Sequence, residues 1–263
     1  MKILLVGDIV GGPGRRVFRE VVKRLRDENA VQIVIANGEN AAAGNGITLA
    51  LADELFKSGA DAITLGDHVW GQKELESTIA SEKRLARPLN YPAGAPGQGC
   101  VTLQTAYGPF AVVNLLGRVF MNPMDCPFHA MDALLKTLPC NMPVLVDFHA
   151  EATSEKIAMG YYLDGRVAAV FGTHTHVQTS DAVILPKGTA YMTDLGMTGP
   201  YCSVIGREIA PVLKKFTTGI PAKFEVAKGP CVLEGAILEI DRASGKAVSI
   251  TPYRFREPVG AEG

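Results

Sequence analysis

Five apolar runs, at residues 2–6, 31–36, 60–65, 143–148 and 167–171, set the limits on how this 263-residue chain can fold. In all but 60–65, which Asp61 and Thr64 interrupt, the apolar residues fall mainly on consecutive positions rather than alternate ones, the pattern of strands buried on both faces. Helical patterns separate several of them. Val17, Val21, Val22 and Leu25 recur at helical spacing within 15–27, and Thr48 can cap a helix running through Leu51, Leu55 and Phe56 to Ser58. Residues 125–138 read as a helix, and Thr153 or Ser154 can cap another that carries Ile157, Ala158 and Tyr161. Shorter strand signals lie at 100–105, 110–114, 182–185, 190–192, 232–240 and 247–252, with Pro-Lys-Gly and Ala-Ser-Gly turns late in the chain, so the C-terminal third reads as antiparallel. This order is accommodated by one α/β domain over residues 1–263, with two mixed sheets packed as a sandwich and helices outside.

Each run gives way to polar residues. Asp8, Asn37-Gly38-Glu39-Asn40, Gly66-Asp67-His68, His149 and Gly172-Thr173-His174-Thr175-His176 all stand just past a predicted strand. Open α/β sheets gather their ligand chemistry at such carboxyl ends. Singly, each acid would serve as a surface or capping carboxylate, and a His-x-His pair as a polar turn. Their recurrence is more telling. Of five histidines, four (His68, His149, His174 and His176) directly follow an apolar run, and only His129 does not. If strand geometry continues through His174 and His176, both rings face the same side and one ion or two adjacent ones. The collected oxygen and nitrogen donors are too many for one tetrahedral zinc, and no thiolate pattern accompanies them. They suit two divalent or mixed-valent ions about 3.5 to 4 Å apart, the arrangement used for phosphoester hydrolysis.

Composition narrows the partners. A net charge of -1, with 20% charged and 47% hydrophobic residues, excludes a disordered chain and a basic nucleic-acid surface, so DNA is not expected. No apolar stretch approaches a membrane span, and the run before Asp8 is too short for a signal h-region. Five cysteines, widely spaced and without a CxxC, point to reduced thiols in the cytoplasm. Gly11-Gly12-Pro13-Gly14 matches neither dinucleotide nor Walker patterns and reads as a tight turn, while the Pro/Gly-rich residues 87–99 read as a structured loop that packs Arg87 and Tyr91.

Taken in order, Gly7-Asp8-Ile9-Val10-Gly11, Asn37-Gly38-Glu39-Asn40-Ala41-Ala42, Gly66-Asp67-His68, Asp147-Phe148-His149-Ala150-Glu151-Ala152, Gly172-Thr173-His174-Thr175-His176 and Asp194-Leu195-Gly196-Met197-Thr198-Gly199-Pro200 resemble the calcineurin-like metallophosphoesterases. More narrowly they resemble the bacterial YmdB-type subfamily of 2',3'-cyclic-nucleotide 2'-phosphodiesterases, nearly end to end. The resemblance implies that Asp8, Glu39, Asn40 and His176 hold one metal, that Glu39, Asp67, His149 and His174 hold the other, and that His68 is the general acid. It also implies a homo-oligomer. Val10 stands where the wider superfamily has a histidine, and Glu39 where it has the bridging Asp; both fit the subfamily. Asp67 departs from the subfamily, which has Asn there: it keeps a ligand oxygen, adds a charge and loses two donors.

The resemblance also implies a mechanism. Two ions, Fe or Mn first and Mg, Zn or Co as alternatives, share a hydroxide whose pKa they lower, and it attacks phosphorus in line. His68 protonates the departing ribose oxygen. A 2',3'-cyclic nucleotide opens to a 3'-monophosphate, or another small phosphodiester is cleaved. Two other readings fit the same residues: a phosphomonoesterase, and a metal-dependent nucleotide-binding regulator with little turnover. Residues 197–201 and 204–212 could form a lid or a subunit contact.

Overall fold

Along strand β1 (Lys2–Val6), Ile3 and Leu5 enter one core while Leu4 and Val6 enter another. Successive side chains of a strand point to opposite faces, so a run apolar throughout must be covered twice. The computed structural model describes residues 1–106, 108–241 and 243–259; the far limit of the expected domain, residue 263, lies outside them. After β1 come β2 (Asp8–Ile9), α1 (Gly11–Asp27), β3 (Ile33–Asn37), α2 (Leu49–Lys57), β4 (Ala62–Thr64), α3 (Glu74–Thr78) and β5 (Leu85–Ala86). The chain continues through β6 (Cys100–Thr105), β7 (Gly108–Leu116), α4 (Pro127–Leu135), β8 (Val144–His149), α5 (Thr153–Leu163) and β9 (Ala169–Thr173). Last come β10 (Val183–Ile184), β11 (Ala190–Met192), β12 (Met197–Pro200), α6 (Ile209–Thr218), β13 (Cys231–Ile240) and β14 (Ala247–Arg256).

One sheet runs β2-β12-β13-β1-β3-β4-β5, with β14 beside β13, and the other runs β10-β11-β9-β8-β7-β6. Ile3, Leu5, Ile33 and Ile35 of the first meet Phe110, Val112, Leu145 and Phe171 of the second in a shared core. Behind the first sheet, Leu4, Val34 and Ile63 pack against Val17, Phe18 and Val21 of α1 and Leu55 of α2. Behind the second, Val113, Val146 and Val170 pack against Met131 of α4 and Met159 of α5. The layers are therefore helix, sheet, sheet, helix, as the sequence suggests. Strands β1, β3, β4 and β5 are parallel, as are β7, β8, β9 and β11, so each sheet collects its carboxyl ends along one edge.

Some local expectations are corrected. The C-terminal third is not uniformly antiparallel: β13 and β14 form an antiparallel hairpin, but β11 pairs parallel to β9 and β12 parallel to β2. A two- or three-residue pairing takes its direction from the sheet it completes, not from its own pattern. Helix α1 starts at Gly11 rather than Arg15, and Gly14 lies so close to the Thr198 carbonyl that a Cβ there would collide with it. Gly14 therefore serves the close approach of helix to sheet. Helix α5 is capped by Ala152, with no side-chain cap bond from Thr153 or Ser154. Thr48 does cap α2, accepting from the Leu51 N–H at 3.2 Å. The 87–99 loop is structured: Arg87 donates to the carbonyls of Pro88, Ala95 and Pro96, and Tyr91 meets Trp70 edge-on. No helix among the described residues is long and apolar enough to cross a membrane.

Candidate metal centre

The carboxyl ends of β1, β3, β4, β8 and β9 bring all eight sequence-predicted residues into one region. Glu39 is its hub. Its Oε1 lies 3.3 Å from His149 Nε2 and 3.3 Å from His68 Nδ1, and accepts from Asn40 Nδ2 at 3.0 Å, while its Oε2 accepts the His68 N–H at 3.0 Å. On the Asp67 side, His149 Nε2 lies 3.0 Å from Asp67 Oδ1 and 3.0 Å from His174 Nδ1. Ligand-type atoms of Glu39, Asp67, His149 and His174 all fall within 4.8 Å of one another. Toward Asp8, the Asn40 amide is 3.3 Å from His176 Nε2, which is 3.8 Å from Asp8 Oδ1. His68 turns Nδ1 toward Asn40 Oδ1 at 2.9 Å, and among the described residues its Nε2 has no partner.

Strand geometry does not deliver the two late histidines. Strand β9 ends at Thr173, and His174 and His176 have φ of 99° and 63°, in the left-handed region. The expectation of i, i+2 alternation is thus corrected: a strained turn aims the two rings at different neighbours. Such backbone persists only where its surroundings over-determine it. Lys156 Nζ supplies part of that hold, donating to the Thr173 carbonyl at 2.8 Å and to Asp194 Oδ2 at 2.6 Å, and Asp194 Oδ2 in turn accepts the Thr175 N–H at 3.2 Å. The Ile205 carbonyl, 2.9 Å from His176 Nδ1, orients the second ring.

A layer of polar residues beneath the histidines was not singled out from the sequence. Thr173 Oγ1 lies 2.9 Å from His149 Nδ1 and donates to Asp147 Oδ1 at 2.7 Å, and Asp147 Oδ2 accepts from Asn37 Nδ2 at 3.2 Å and from Thr64. Asp147 offered a signal, as a charged residue inside the otherwise apolar run 143–148. Glu151 reaches His174 Nε2 at 3.1 Å, and Arg207 lines the same cleft from a distant part of the chain, without any local signal. Gly66 is required by approach, because a Cβ there would strike the Glu39 carboxylate and the His149 ring.

Burial sets the electrostatics. Burial alone would raise Glu39 and Asp67, but His149 with His68 for Glu39, and His149 with His174 for Asp67, hold both well below the ordinary carboxylate range. Asp8 goes the other way, because its burial outweighs the pull of His176 and His149. Burial pulls the His149 imidazole down, yet Glu39, Asp67 and Asp8 together hold it well above its usual value. Burial pushes Asp147 up to about 6.

The donor set fits metal ions. Asp8 Oδ1 is fully buried with no hydrogen-bond partner, ring nitrogens of His149 and His174 face each other at 3.0 Å, and oxygen with imidazole suits first-row divalent ions. The cleft above, about 300 Å³, is lined by Glu39, Asn40, His68, Glu151, His174 and Arg207 among others. A larger hollow of about 710 Å³ lies between α1 and α2, away from these groups; its Lys23–Asp27 and Lys57–Asp53 pairs leave it no comparable chemistry.

Known proteins match the chain along almost its whole length. The model of YmdB-like proteins matches residues 4–253. A 2',3'-cyclic-nucleotide 2'-phosphodiesterase of Bacillus subtilis (strain 168) is 48% identical over 251 residues, covering 95% of each chain. The crystal structure of a hypothetical protein from Thermus thermophilus superposes with a TM-score of 0.93 at 45% identity, covering 98% of this chain and 100% of that one. A novel phosphatase of Mycoplasma pneumoniae also superposes with a TM-score of 0.93, at 35% identity over 99% of this chain and 95% of its own.

Proposed function

The chain belongs to the YmdB-like family, and from that premise we propose that it is a metal-dependent phosphodiesterase that opens 2',3'-cyclic nucleotides to 3'-monophosphates. The observation that carries this reading is Glu39, a fully buried carboxylate reached by His149, His68 and Asn40 at the meeting of two sheet edges. In this reading Asp8, Glu39, Asn40 and His176 hold one ion, and Glu39, Asp67, His149 and His174 hold a second, with Fe or Mn preferred. When bound, the ions supply an acidified water and neutralise phosphoryl charge.

The residues of the chain then divide the remaining work. Asp67 and Glu39, both held ionised by their histidine neighbours, keep the cage anionic across the physiological range. Hydrogen bonds fix the His149 and His176 rings through Nδ1, so that Nε2 of each points inward. His68 is anchored through Nδ1 to Asn40 and Glu39, which leaves Nε2 facing the cleft. As water oxygen bonds to phosphorus and the bond from phosphorus to O2' breaks, His68 Nε2–H delivers its proton to O2'. Single-domain organisation over residues 1–263, a cytoplasmic location and a homo-oligomeric state belong to the same reading; solvent-facing Ile209, Leu213 and Phe216 on α6 supply apolar surface for self-association, which sedimentation tests.

The deciding experiment measures turnover of 2',3'-cyclic AMP by Mn- or Fe-reconstituted protein, with metals counted on the same sample. Two metals per chain and release of the 3'-monophosphate support the reading. Turnover of the monophosphate in preference to the cyclic diester would replace it with a phosphomonoesterase, and nucleotide binding without turnover would replace it with a regulator. If His68→Ala kept two metals and full turnover, the general-acid role would be wrong.

A further inference from the structure

Among the described residues Arg207 is the one Lys or Arg that lines the metal cleft. Its guanidinium donates through Nη1 to the carbonyls of Ala43 at 3.4 Å and Phe224 at 3.3 Å, and through Nη2 to the carbonyl of Gly44. All three acceptors are neutral. No carboxylate among the described residues pairs with it, although Glu39 and Glu151 line the same cleft. A guanidinium has five N–H donors, so these bonds hold the side chain in place while its charge and further donors remain available.

The loop that carries Arg207 is tied to the centre. The backbones of Val204 and Arg207 bond to each other in both directions at 2.9 Å, closing a tight turn in which Ile205 takes a φ of 46°. The carbonyl of that same Ile205 orients His176 at 2.9 Å. Arg207 is therefore fixed relative to His176 from one side and to the 43–44 loop from the other. A planar cation held beside a cage of carboxylates is suited to an oxyanion that arrives with the substrate, because phosphoryl oxygens match the guanidinium fork.

We infer that Arg207 is a substrate-binding residue that clamps a phosphoryl oxygen of the bound nucleotide. This rests on the phosphodiesterase reading for its substrate, though not for its chemistry, which requires only a phosphate. The role is in affinity: the charge meets the substrate on arrival, and His68 rather than Arg207 faces the leaving oxygen.

The test uses the full chain loaded with Mn, as wild type, Arg207→Gln and Arg207→Lys, with metal content and melting temperature recorded for each. Two quantities are read: KM and kcat on 2',3'-cyclic AMP, and the affinity for inorganic phosphate by calorimetry. In Arg207→Gln the expected result is a KM raised about tenfold and phosphate binding weakened about tenfold, with the loss confined to binding and metal content unchanged. Arg207→Lys, keeping the charge without the fork, should recover part of both. Unchanged KM and phosphate affinity overturn the inference. So does loss of metal and melting temperature alongside affinity, which would make Arg207 a strap between loops. If the wild type turns over no cyclic nucleotide, the phosphodiesterase reading fails by itself and the phosphate titration still decides: weaker binding in Arg207→Gln sustains the clamp, while equal affinities, or no phosphate binding by the wild type, overturn it.

Discussion

Thr173 Oγ1 stands 2.9 Å from His149 Nδ1 and donates its own hydrogen bond to Asp147 Oδ1 at 2.7 Å. A hydroxyl has one proton and an ionised carboxylate only accepts, so this bond makes Thr173 the acceptor and places the His149 proton on Nδ1. Nε2 is then the nitrogen that faces Glu39, Asp67 and His174, and the one that would give up its proton to bind a metal. A buried hydroxyl thereby sets the tautomer of a ring at the centre of the site.

Thr173→Val keeps the side-chain volume and removes that acceptor. Metal affinity should fall about 10- to 100-fold, the usual cost of losing a partner behind a metal-binding histidine. Chelator competition against wild type measures it. Equal affinity would show that packing alone orients His149.

Gly66→Ala places a methyl group against the Glu39 carboxylate and the His149 ring, with nowhere for either to retreat inside the cage. The expected protein retains its secondary structure by circular dichroism but binds fewer than two metals per chain. Full metal occupancy would mean that the β4 end shifts more easily than its packing indicates.

Lys156 and Asp194 form an ion pair that is almost wholly buried, at 2.6 Å. Removing one partner strands a charge, so Lys156→Met should cost about 3 to 5 kcal/mol in urea unfolding. Combining it with Asp194→Asn removes the stranded charge and keeps one oxygen acceptor for either the Thr175 or the Gly196 N–H, so the double variant should recover part of the loss and be the more stable of the two. A double variant that is less stable than Lys156→Met would mean that the charge on Asp194 is held by other groups.

Burial pushes the thiols of Cys100 and Cys231 up to about 11, while Cys140 and Cys202 are exposed. For an acid with a raised pKa the neutral thiol persists as pH increases, so at pH 8 roughly one Cys100 or Cys231 in a thousand is thiolate. A disulfide-exchange reagent at that pH should find Cys140 and Cys202 as the fast class, with Cys100 and Cys231 reacting only on denaturation. Mass mapping of the labelled sites reports the order; rapid labelling of Cys231 in the folded protein would contradict its burial.

The positions of Asp8, Glu39, Asn40, Asp67, His68 and His149 were legible because each closes an apolar run, and a strand buried on both faces can turn polar only where it leaves the sheet. Alternation of side chains is a property of the backbone, so β1 alone foretold two cores. The aim of His174 and His176 was not legible: no periodicity encodes a turn with φ of 99° and 63°, which Lys156, Asp194 and Ile205 stabilise from elsewhere in the chain. Nor were the directions of β11 and β12, which the neighbouring strands decide. The relay from Thr173 to Asp147 and the reach of Arg207 to Gly44, 163 residues away, depend on which faces meet when two sheets close on a shared core. Sequence determined the polar residue types and their place at strand ends, since these follow from local burial. Tertiary structure decided their partners, since contacts between distant residues exist only once the sheets have packed.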